Sequence, residues 1–404
     1  MRLLILSFYY PPDLSAGSFR TSALVEALRA EAREDLHIDL ITSMPNRYSA
    51  LAGAGTPALE EHPGLTIRRI PLPSHKSGMV DQSRAFAVFA RRALALSRAG
   101  RWDLVYATSS RLMTAALGAR VASRAGVPLY LDIRDLFTDT MTDLLATSRT
   151  RHLIPAFRRL ERWTLRRAAR VNLVSPGFLD HARAVAPDQE FRLFTNGIDT
   201  DFLTRSFAVP QASPDRLPVV FYGGNMGEGQ GLHHVIPGAA KMLRGEARFR
   251  LVGDGGRRRQ LEEAVAAAGL DNVEVLPPVP RDALYDHYDA ADILFLHLND
   301  HPAFLKVLPS KIFEYAATGK PVLAGVSGQA AEFVKGEVPG SVLFAPCDAE
   351  ALAAGVRSLL QGPRHFERAA FRERHSRSRI MAEMARDVLS LIPSGSLPSS
   401  RPKD

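Results

Sequence analysis

Short apolar segments with the length of buried strands alternate with helical patterns along most of the 404 residues. This alternation predicts an α/β fold with parallel sheets, because parallel neighbours need a crossover between them. The predicted strands of the first half are residues 3–7, 38–42, 104–107, 129–133, 171–174 and 191–194. Those of the second half are residues 218–222, 249–252, 273–276, 293–296, 321–324 and 341–344. Helices fall between the strands, for example at residues 18–30.

The two series of strands open in the same way, with a strand, a glycine-containing loop and a helix. Residues 196–217 between them are rich in turn formers and proline, a composition typical of a linker. We predict an N-terminal domain at 1–197, a linker at 198–217 and a C-terminal domain at 218–364. Ligands in such sheets bind at the carboxyl ends of the strands, here facing a cleft between two doubly wound domains. The apolar-poor residues 393–404 are predicted to be disordered.

Composition narrows the class of protein. Apolar residues make up 46% of the chain and charged residues 23%, which excludes wholesale disorder. Cys347 is the one cysteine, so a disulfide within one chain is excluded and a reducing compartment is expected. The apolar N-terminal run is short and reads as a first strand rather than a signal peptide. No apolar stretch reaches the roughly 18 residues of a membrane span, so we expect a cytoplasmic protein, at most peripheral to a membrane.

The net charge of +8 suits nucleic acid, an anionic membrane surface or phosphorylated substrates. Arginines gather in residues 84–101 and, more densely, in residues 149–170. The second group comprises Arg149, Arg151, Arg158, Arg159, Arg162, Arg166, Arg167 and Arg170. Apolar residues recur there at near-helical spacing, which fits a basic amphipathic helix on anionic lipid or a solvated helix packed on a sheet. Nucleic acid is disfavoured because no recognised binding motif accompanies the charge.

Two glycine-rich segments follow predicted strands in the second half. Residues 223–231 contain five glycines in nine positions, which lets backbone N–H groups approach an anion. The dinucleotide fingerprint G-x-G-x-x-G is absent, and a plain turn is the alternative. Residues 252–256, Val-Gly-Asp-Gly-Gly, would likewise permit a ligand to approach or form a simple turn. The proline-rich loop that ends at Pro280 could pair with a base edge or be a plain connection.

Residues 308–325 read as a short helix capped by Ser310 and ended by Thr318-Gly319, followed by an extended segment. Lys311 and Glu314 are three residues apart and share one face of the first turn. A cation and a carboxylate placed in this way can hold a phosphate and a diol together, as a nucleotide requires. The alternative is an ion pair on a surface helix.

The first half carries polar residues after two of its strands. Asp13 and Gly17 follow the first strand, and Asp132, Arg134 and Asp135 lie at the end of residues 129–133. Carboxylates at strand ends could bind a polyhydroxyl acceptor, and a structural Asp–Arg pair is the alternative. Among the histidines, the pairs His233/His234 and His297/His301 make no recognisable metal set, and no metal or other cofactor is expected.

Taken in order, these segments resemble a family-4 retaining glycosyltransferase of the GT-B fold. The likeness is particularly close to bacterial enzymes that build cell-surface polysaccharides such as lipopolysaccharide, capsule and exopolysaccharide. The matching segments, within about residues 1 to 390, are 10–12 with Gly17, 103–107, 133–136, 174–177, 196–199, 223–231, 252–255, 291–292, 309–315 and 319–322. The resemblance implies two Rossmann-like domains facing each other across a cleft, with the acceptor on the first and the nucleotide-sugar donor on the second. It also implies a helix within 365–391 that crosses back to the first domain.

The resemblance assigns roles and exposes departures. Glu314 matches the second glutamate of the family's E-x7-E motif, which binds the nucleotide ribose, but Lys306 stands where the first belongs. Asn225 and Gln230 stand where the family's phosphate-clamping arginine and lysine belong. We therefore hypothesise that Lys311, with or without Lys306, supplies the missing positive charge.

The remaining roles implied by the resemblance are assigned in two groups. Donor-binding positions, besides those named, are Gly224, Gly253, Asp254, Val279, Leu308, Pro309 and Ser310; the catalytic and acceptor-side positions are Asp13, Gly17, Asp135 and Lys311. The expected activity is metal-independent and retaining, from a nucleotide diphosphate-sugar, UDP-linked before GDP-linked, to a lipid-linked or oligosaccharide acceptor. The alternatives are a GT-B-fold sugar-nucleotide epimerase and a non-catalytic nucleotide-sugar-binding subunit.

Overall fold

The computed structural model describes residues 1–13, 15–32, 35–45, 55–73, 79–109, 112–136, 138, 152–210 and 216–392. The chain divides into two compact units. The first contains residues 1–174 and 178–195 and the chain from Ser378; the second contains residues 175–177 and 196–377. The predicted tail at 393–404, Arg149, Arg151 and part of the predicted linker lie outside the described residues.

The first unit is built on an eight-stranded sheet. Its strands are β1 (Arg2–Leu6), β2 (His37–Ser43), β3 (Leu59–His62), β4 (Leu65–Ile70), β5 (Leu104–Ser109), β6 (Leu129–Ile133), β7 (Arg170–Leu173) and β8 (Phe191–Arg192). Its helices include α1 (Ala16–Ala32), α2 (Met79–Ser97), α3 (Leu112–Ala125), α4 (Ile154–Arg167) and α5 (Leu179–Val185). The strand order is β3-β4-β2-β1-β5-β6-β7-β8, and all neighbours are parallel except β3 and β4.

All of the strands predicted in the first half are confirmed, and two that were not predicted are added at one edge. Strand β3 reads Leu-Glu-Glu-His and is largely exposed, so it lacks the apolar run that marks a buried strand. Strand β4 reads Leu-Thr-Ile-Arg-Arg-Ile and ends in two arginines before its last residue. Strand β3 is the edge strand and needs only one covered face, whereas β4 lies between β3 and β2 and is largely buried. The two arginines and the threonine of β4 break the continuous apolar run by which buried strands were predicted.

The second unit is built on a six-stranded, fully parallel sheet. Its strands are β9 (Val219–Asn225), β10 (Arg248–Asp254), β11 (Val273–Leu276), β12 (Ile293–His297), β13 (Val322–Gly325) and β14 (Ser341–Phe344). Its helices include α6 (Thr200–Thr204), α7 (Leu232–Met242), α8 (Arg258–Ala267), α9 (Arg281–Ala290), α10 (Lys311–Ala317), α11 (Gly328–Glu337), α12 (Ala349–Gln361) and α13 (Ala369–Arg374). The strand order is β11-β10-β9-β12-β13-β14, so the winding reverses between β9 and β12. The α/β prediction is confirmed in both units.

The segment predicted as a linker differs from a plain connection. Ile198 and Phe202 are buried in the apolar core of the second unit, and Phe202 lies on helix α6. Asp199 pairs with Arg281 at 2.7 Å and with Arg377 at 2.7 Å. The turn-forming composition of this segment does not predict these buried residues and ion pairs, because they depend on partners far away in the chain.

A last helix, α14 (Arg377–Leu389), returns to the first unit, at the place where the resemblance implies a crossover helix. Met381, Met384 and Val388 of α14 are buried in the core that contains Tyr130. The Tyr130 hydroxyl donates to Asp387 at 2.9 Å.

None of the helices among the described residues has both the length and the apolar character needed to cross a membrane.

Candidate functional site

The glycine-rich loop of the second unit lies where the winding of its sheet reverses, the position at which α/β sheets bind ligands. Strand β9 ends at Asn225, a 3-10 turn covers Glu228–Gln230, and α7 begins at Leu232. Gly253 on β10 is the register partner of Gly224. A Cβ on Gly253 would lie 1.8 Å from the Gly224 carbonyl oxygen, and its φ of +151° disfavours any side chain. These strand ends therefore present bare backbone.

Lys311 brings a positive charge to this backbone. Its Nζ lies 2.2 Å from the point that a Cβ on Gly224 would occupy, and 5.7 Å from the centre of the Tyr222 ring. Gly224 has a φ of +145°, a conformation that favours glycine, and a Cβ there would displace the ammonium beside it. The ion-pair alternative is wrong: among the described residues no ion pair joins Lys311 to Glu314. The structure thus brings together the glycine loop and the cation that the sequence hypothesis named.

Asn225 and Gln230, which the resemblance aligns with the family's clamp cations, bond to each other. The Asn225 amide donates to Gln230 Oε1 at 2.6 Å, and the same oxygen accepts from the Gly227 backbone N–H at 3.2 Å. The two side chains therefore shape the loop from within. They add hydrogen-bonding capacity but no charge.

Glu314 lies one turn along α10 from Lys311 and is half-buried. Its Oε2 accepts a hydrogen bond from the Tyr288 hydroxyl at 3.3 Å. Burial, together with the Glu314 carboxylate, raises the pKa of Tyr288 well above its usual range, so the phenol stays protonated and donates. The carboxylate is thereby oriented by a rigid, fully buried ring.

The sequence prediction for the helix that carries these two residues is confirmed in its core and wrong at its cap. Ile312, Phe313, Ala316 and Ala317 are all buried, and the helix ends before Gly319, whose φ is +75°. Ser310 has helical φ and ψ angles of −60° and −28°, and its side chain makes no capping hydrogen bond. A hydroxyl caps a helix from an extended backbone, which Ser310 does not adopt.

The other predicted donor-binding positions fall into different surroundings. Leu308 is buried in the core of the second unit. Val279 is half-buried and packs against the same core. Pro309 and Ser310 are half-buried before α10, and Asp254 is exposed with its Oδ1 accepting from the Gly255 N–H at 2.8 Å.

A buried histidine that the sequence did not single out as a site residue fixes the glycine loop. His297, at the end of β12, has Nδ1 2.6 Å from the Gln230 carbonyl oxygen, and its Nε2 accepts from the Cys347 N–H at 2.9 Å. The ring is therefore neutral, with its proton on Nδ1. Asn299 adds hydrogen bonds to the carbonyl and side chain of Glu228 in the same loop. Only the tertiary structure joins these residues.

His297 makes the folding stability of the protein depend on pH in the mildly acidic range. Burial lowers the pKa of His297 from 6.5 to about 4. Between these values the unfolded chain binds a proton that the folded protein does not, so folding stability falls as pH falls from 6.5 towards 4. We expect this residue to contribute about 3 kcal/mol to that loss. Urea unfolding of wild type and His297→Phe at several pH values measures it: the gap between the two should narrow towards pH 4, and a constant gap would contradict a neutral buried ring.

In the first unit, the carboxylates predicted after β6 separate into two roles. Asp132 is fully buried and pairs with Arg20 at 2.8 Å, while also accepting from Asn172 at 2.8 Å. For Asp132 the structural Asp–Arg alternative is therefore the one realised. Asp135 is half-buried and lines a small pocket together with Ser109.

Asp13 and Gly17 follow β1 and are both buried. A Cβ on Gly17 would lie 2.2 Å from Arg134 Nη1, so this glycine makes room for a guanidinium. Arg134 immediately follows β6, at the same carboxyl edge of the sheet as the loop after β1. The structure places Asp13, Gly17 and Asp135 in the first unit and the predicted donor-binding residues in the second.

Comparison with known proteins identifies the class. Residues 17–197 match the family model of the glycosyl transferase 4-like domain, and residues 205–377 match that of the glycosyl transferases group 1. A protein of Escherichia coli strain K12, named as the colanic acid biosynthesis glycosyl transferase WcaI, is 27% identical over 393 residues, covering 90% of this chain and 93% of the relative. The chain belongs to the glycosyltransferases and has the GT-B fold.

Two solved structures illustrate the shared fold. Sucrose-phosphate synthase from Thermosynechococcus elongatus is similar with a TM-score of 0.68 and 18% identity, covering 97% of this chain and 96% of that one. HepE of Anabaena, solved in complex with UDP, is similar with a TM-score of 0.58 and 16% identity, covering 97% of each chain. Family membership makes this protein a transferase rather than an epimerase or a non-catalytic subunit, the two alternatives that the sequence left open.

Proposed function

We propose that this enzyme transfers a sugar from a nucleotide diphosphate-sugar to a lipid-linked or oligosaccharide acceptor, with retention of anomeric configuration and without a metal in the chemical step. The observation that carries the proposal is the Lys311 ammonium seated against the Gly224 backbone. It places one cation at a glycine loop after a strand, which is where a donor diphosphate would be held.

The diphosphate would lie over the bare backbone at Gly224 and Gly253, within reach of Lys311. A charge-assisted hydrogen bond of this kind contributes roughly 1.5–3 kcal/mol. The Asn225–Gln230 pair would hold the loop open to the ligand in place of clamping it. Lys306, at the end of the 3-10 helix Pro302–Lys306, is a second candidate cation for the same anion.

The ribose would bind at Glu314, which Tyr288 orients. A carboxylate accepts from two vicinal hydroxyls, and Glu314 is placed one helical turn from the cation that would hold the phosphates. UDP is proposed before GDP because the structurally similar HepE was solved with UDP.

Retention would follow from a front-face displacement. The bond between the anomeric carbon and the diphosphate oxygen breaks, the acceptor oxygen bonds to the same face, and the acceptor proton passes to the departing diphosphate. The protein would act by positioning and by stabilising the charge that develops on the leaving group, with Lys311 nearest to it. Asp13, Gly17 and Asp135 are proposed to border the acceptor at the first unit.

The name of the relative WcaI assigns that protein to colanic acid biosynthesis, which supports the proposal that this enzyme acts in surface polysaccharide assembly. Thermal-shift screening against UDP-, GDP- and dTDP-sugars identifies the donor, and incubation of that donor with lipid-linked or oligosaccharide acceptors tests transfer. Stabilisation by a UDP-sugar and formation of the same anomer in the product are expected. Conversion of a UDP-sugar without an acceptor, or no response to any nucleotide-sugar, would contradict the proposal.

Replacing Glu314 with glutamine is expected to weaken binding of both UDP and the UDP-sugar about tenfold or more, since an amide accepts weaker hydrogen bonds from the ribose than a carboxylate does. Isothermal titration calorimetry with UDP measures the change. Tyr288→Phe is the matched control for orientation, because it leaves the carboxylate and removes only the phenol's hydrogen bond; its effect should be smaller. Equal affinities of Glu314→Gln and wild type would exclude the ribose role.

The stretch at residues 149–170 is proposed to touch an anionic membrane surface at the cytoplasmic face. Helix α4 exposes Arg158, Arg159, Arg162 and Arg166, and Trp163 is 41% exposed on the same helix. Arg167 and Arg170 are instead bonded within the first unit, to Ser123 and Asp387. Salt-sensitive sedimentation with phosphatidylglycerol vesicles, reduced when Arg158, Arg159 and Arg162 are changed to serine, is expected. Unchanged sedimentation of that variant would exclude this helix as the contact.

A further inference from the structure

The glycine loop carries a second cluster of chemically reactive side chains. Glu228 on the 3-10 turn and the adjacent His233 and His234 at the start of α7 each offer one ligand atom, and these atoms lie within 4.8 Å of one another. The two imidazole rings have centroids 3.9 Å apart. The sequence did not group these residues, because the four positions between Glu228 and His233 match no metal-binding motif.

The side chain of His233 gives independent evidence for a ligand, because one of its ring nitrogens is buried without a partner among the described residues. It is 9% exposed, and its buried Nδ1 has no hydrogen-bond partner among the described residues. A buried imidazole nitrogen without a partner is costly unless a ligand satisfies it.

We propose that Glu228, His233 and His234 form a binding site for a late first-row divalent cation of the Zn²⁺ class. Two imidazoles and one carboxylate are the ligand set of many three-residue zinc sites, which keep a fourth position open to water or a ligand. Ligand atoms around a tetrahedral zinc lie about 3.4 Å apart. Rotation of the exposed His234 side chain and the half-buried Glu228 side chain is the adjustment that closes the set.

The surroundings of the site set its strength. Arg257 bonds to Glu228 Oε2, and its charge opposes a cation at this place. The other carboxylate oxygen, Glu228 Oε1, accepts from the Asn299 amide at 3.3 Å and lies 4.0 Å from His301 Nε2. The site is therefore expected to bind in the micromolar range rather than as a permanent structural zinc. Removal of the opposing charge should strengthen it.

An ion bound at this place would restrain the conformation of the glycine loop. Gln230 lies between Glu228 and His233 in the chain and bonds to Asn225. An ion held by Glu228, His233 and His234 would tie the 3-10 turn to the start of α7 across Gln230. Binding of an ion at these three residues does not depend on the proposed transfer reaction.

Calorimetric titration of untagged, chelator-treated protein with ZnCl₂ tests the site, with CoCl₂ absorption as a second readout of coordination. We expect one ion per chain, a loss of affinity of at least tenfold in His234→Ala and in His233→Ala, and an affinity increase of at least threefold in Arg257→Gln. His234 is exposed, so its variant is expected to fold even where the His233 variant does not. His62→Ala, an exposed histidine of the first unit, is the matched control and should bind as wild type does.

Three results would overturn the proposal: no binding below about 100 µM, binding that His234→Ala leaves unchanged, or equal losses in His234→Ala and His62→Ala.

Discussion

Replacing Lys311 with alanine is expected to raise the Kd of the nucleotide diphosphate-sugar about 10- to 150-fold, equivalent to the roughly 1.5–3 kcal/mol of a charge-assisted hydrogen bond. The reason is that Asn225 and Gln230, which the resemblance aligns with the family's clamp cations, are neutral and bond to each other. Lys311 is a cation that the structure places against the Gly224 backbone of the glycine loop. Calorimetry with the donor and with UDP measures the loss.

The same site can be disturbed from the glycine side. Gly224→Ala would put a Cβ 2.2 Å from Lys311 Nζ, on a backbone whose φ of +145° already disfavours alanine. Gly256→Ala is the matched control, because a Cβ there meets nothing within 4 Å. We expect Gly224→Ala to weaken donor binding about as much as Lys311→Ala, and Gly256→Ala to leave it unchanged.

Lys306→Ala separates the two candidate cations. Near-normal donor affinity in Lys311→Ala would refute the assignment of Lys311, and a large loss in Lys306→Ala alone would move the phosphate contact to Lys306. Losses in both variants that add in free energy would mean that each lysine contacts the anion independently.

Removing Asp132 is expected to have the largest effect on stability, a loss of about 3–5 kcal/mol in Asp132→Ala. Asp132 is fully buried and Arg20 is 1% exposed, so the change leaves a guanidinium in the core without its ionic partner. It also removes an acceptor from Thr108 and Asn172. Urea unfolding followed by circular dichroism measures the loss.

The control for this prediction is an ion pair of the same type on the surface. Glu263→Ala breaks the exposed pair with Arg259 and should cost no more than about 0.5 kcal/mol. Burial alone would raise the pKa of Asp132, but Arg20 outweighs it and holds that pKa below its usual value. Its contribution is therefore present above the carboxyl's ordinary pKa and is lost as pH falls through the lowered one. An Asp132→Ala variant as stable as Glu263→Ala would contradict a structural role.

Local patterns predicted the parts of the fold that depend on neighbours in the chain. Except for β4, the buried strands of both sheets follow from short apolar runs, and the apolar face of α10 at Ile312 and Phe313 follows from helical spacing. The glycine loop after β9 and the Lys311–Glu314 spacing also lie within single segments. The edge strand β3 was missed because its Glu-Glu-His residues are polar and largely exposed to solvent, so they give no apolar run.

The sequence by itself determined two wound sheets, a glycine loop at the end of β9 and a helix that carries Lys311 and Glu314. Only the tertiary structure decided what those side chains meet: Lys311 lies against Gly224 rather than Glu314, Asp132 is closed inside the core by Arg20, and His297 ties Gln230 to Cys347. The physical reason is the distance along the chain over which each effect acts. Backbone preference and apolar periodicity act over a few residues, whereas burial and pairing of a charge depend on groups that folding brings together from distant parts of the chain.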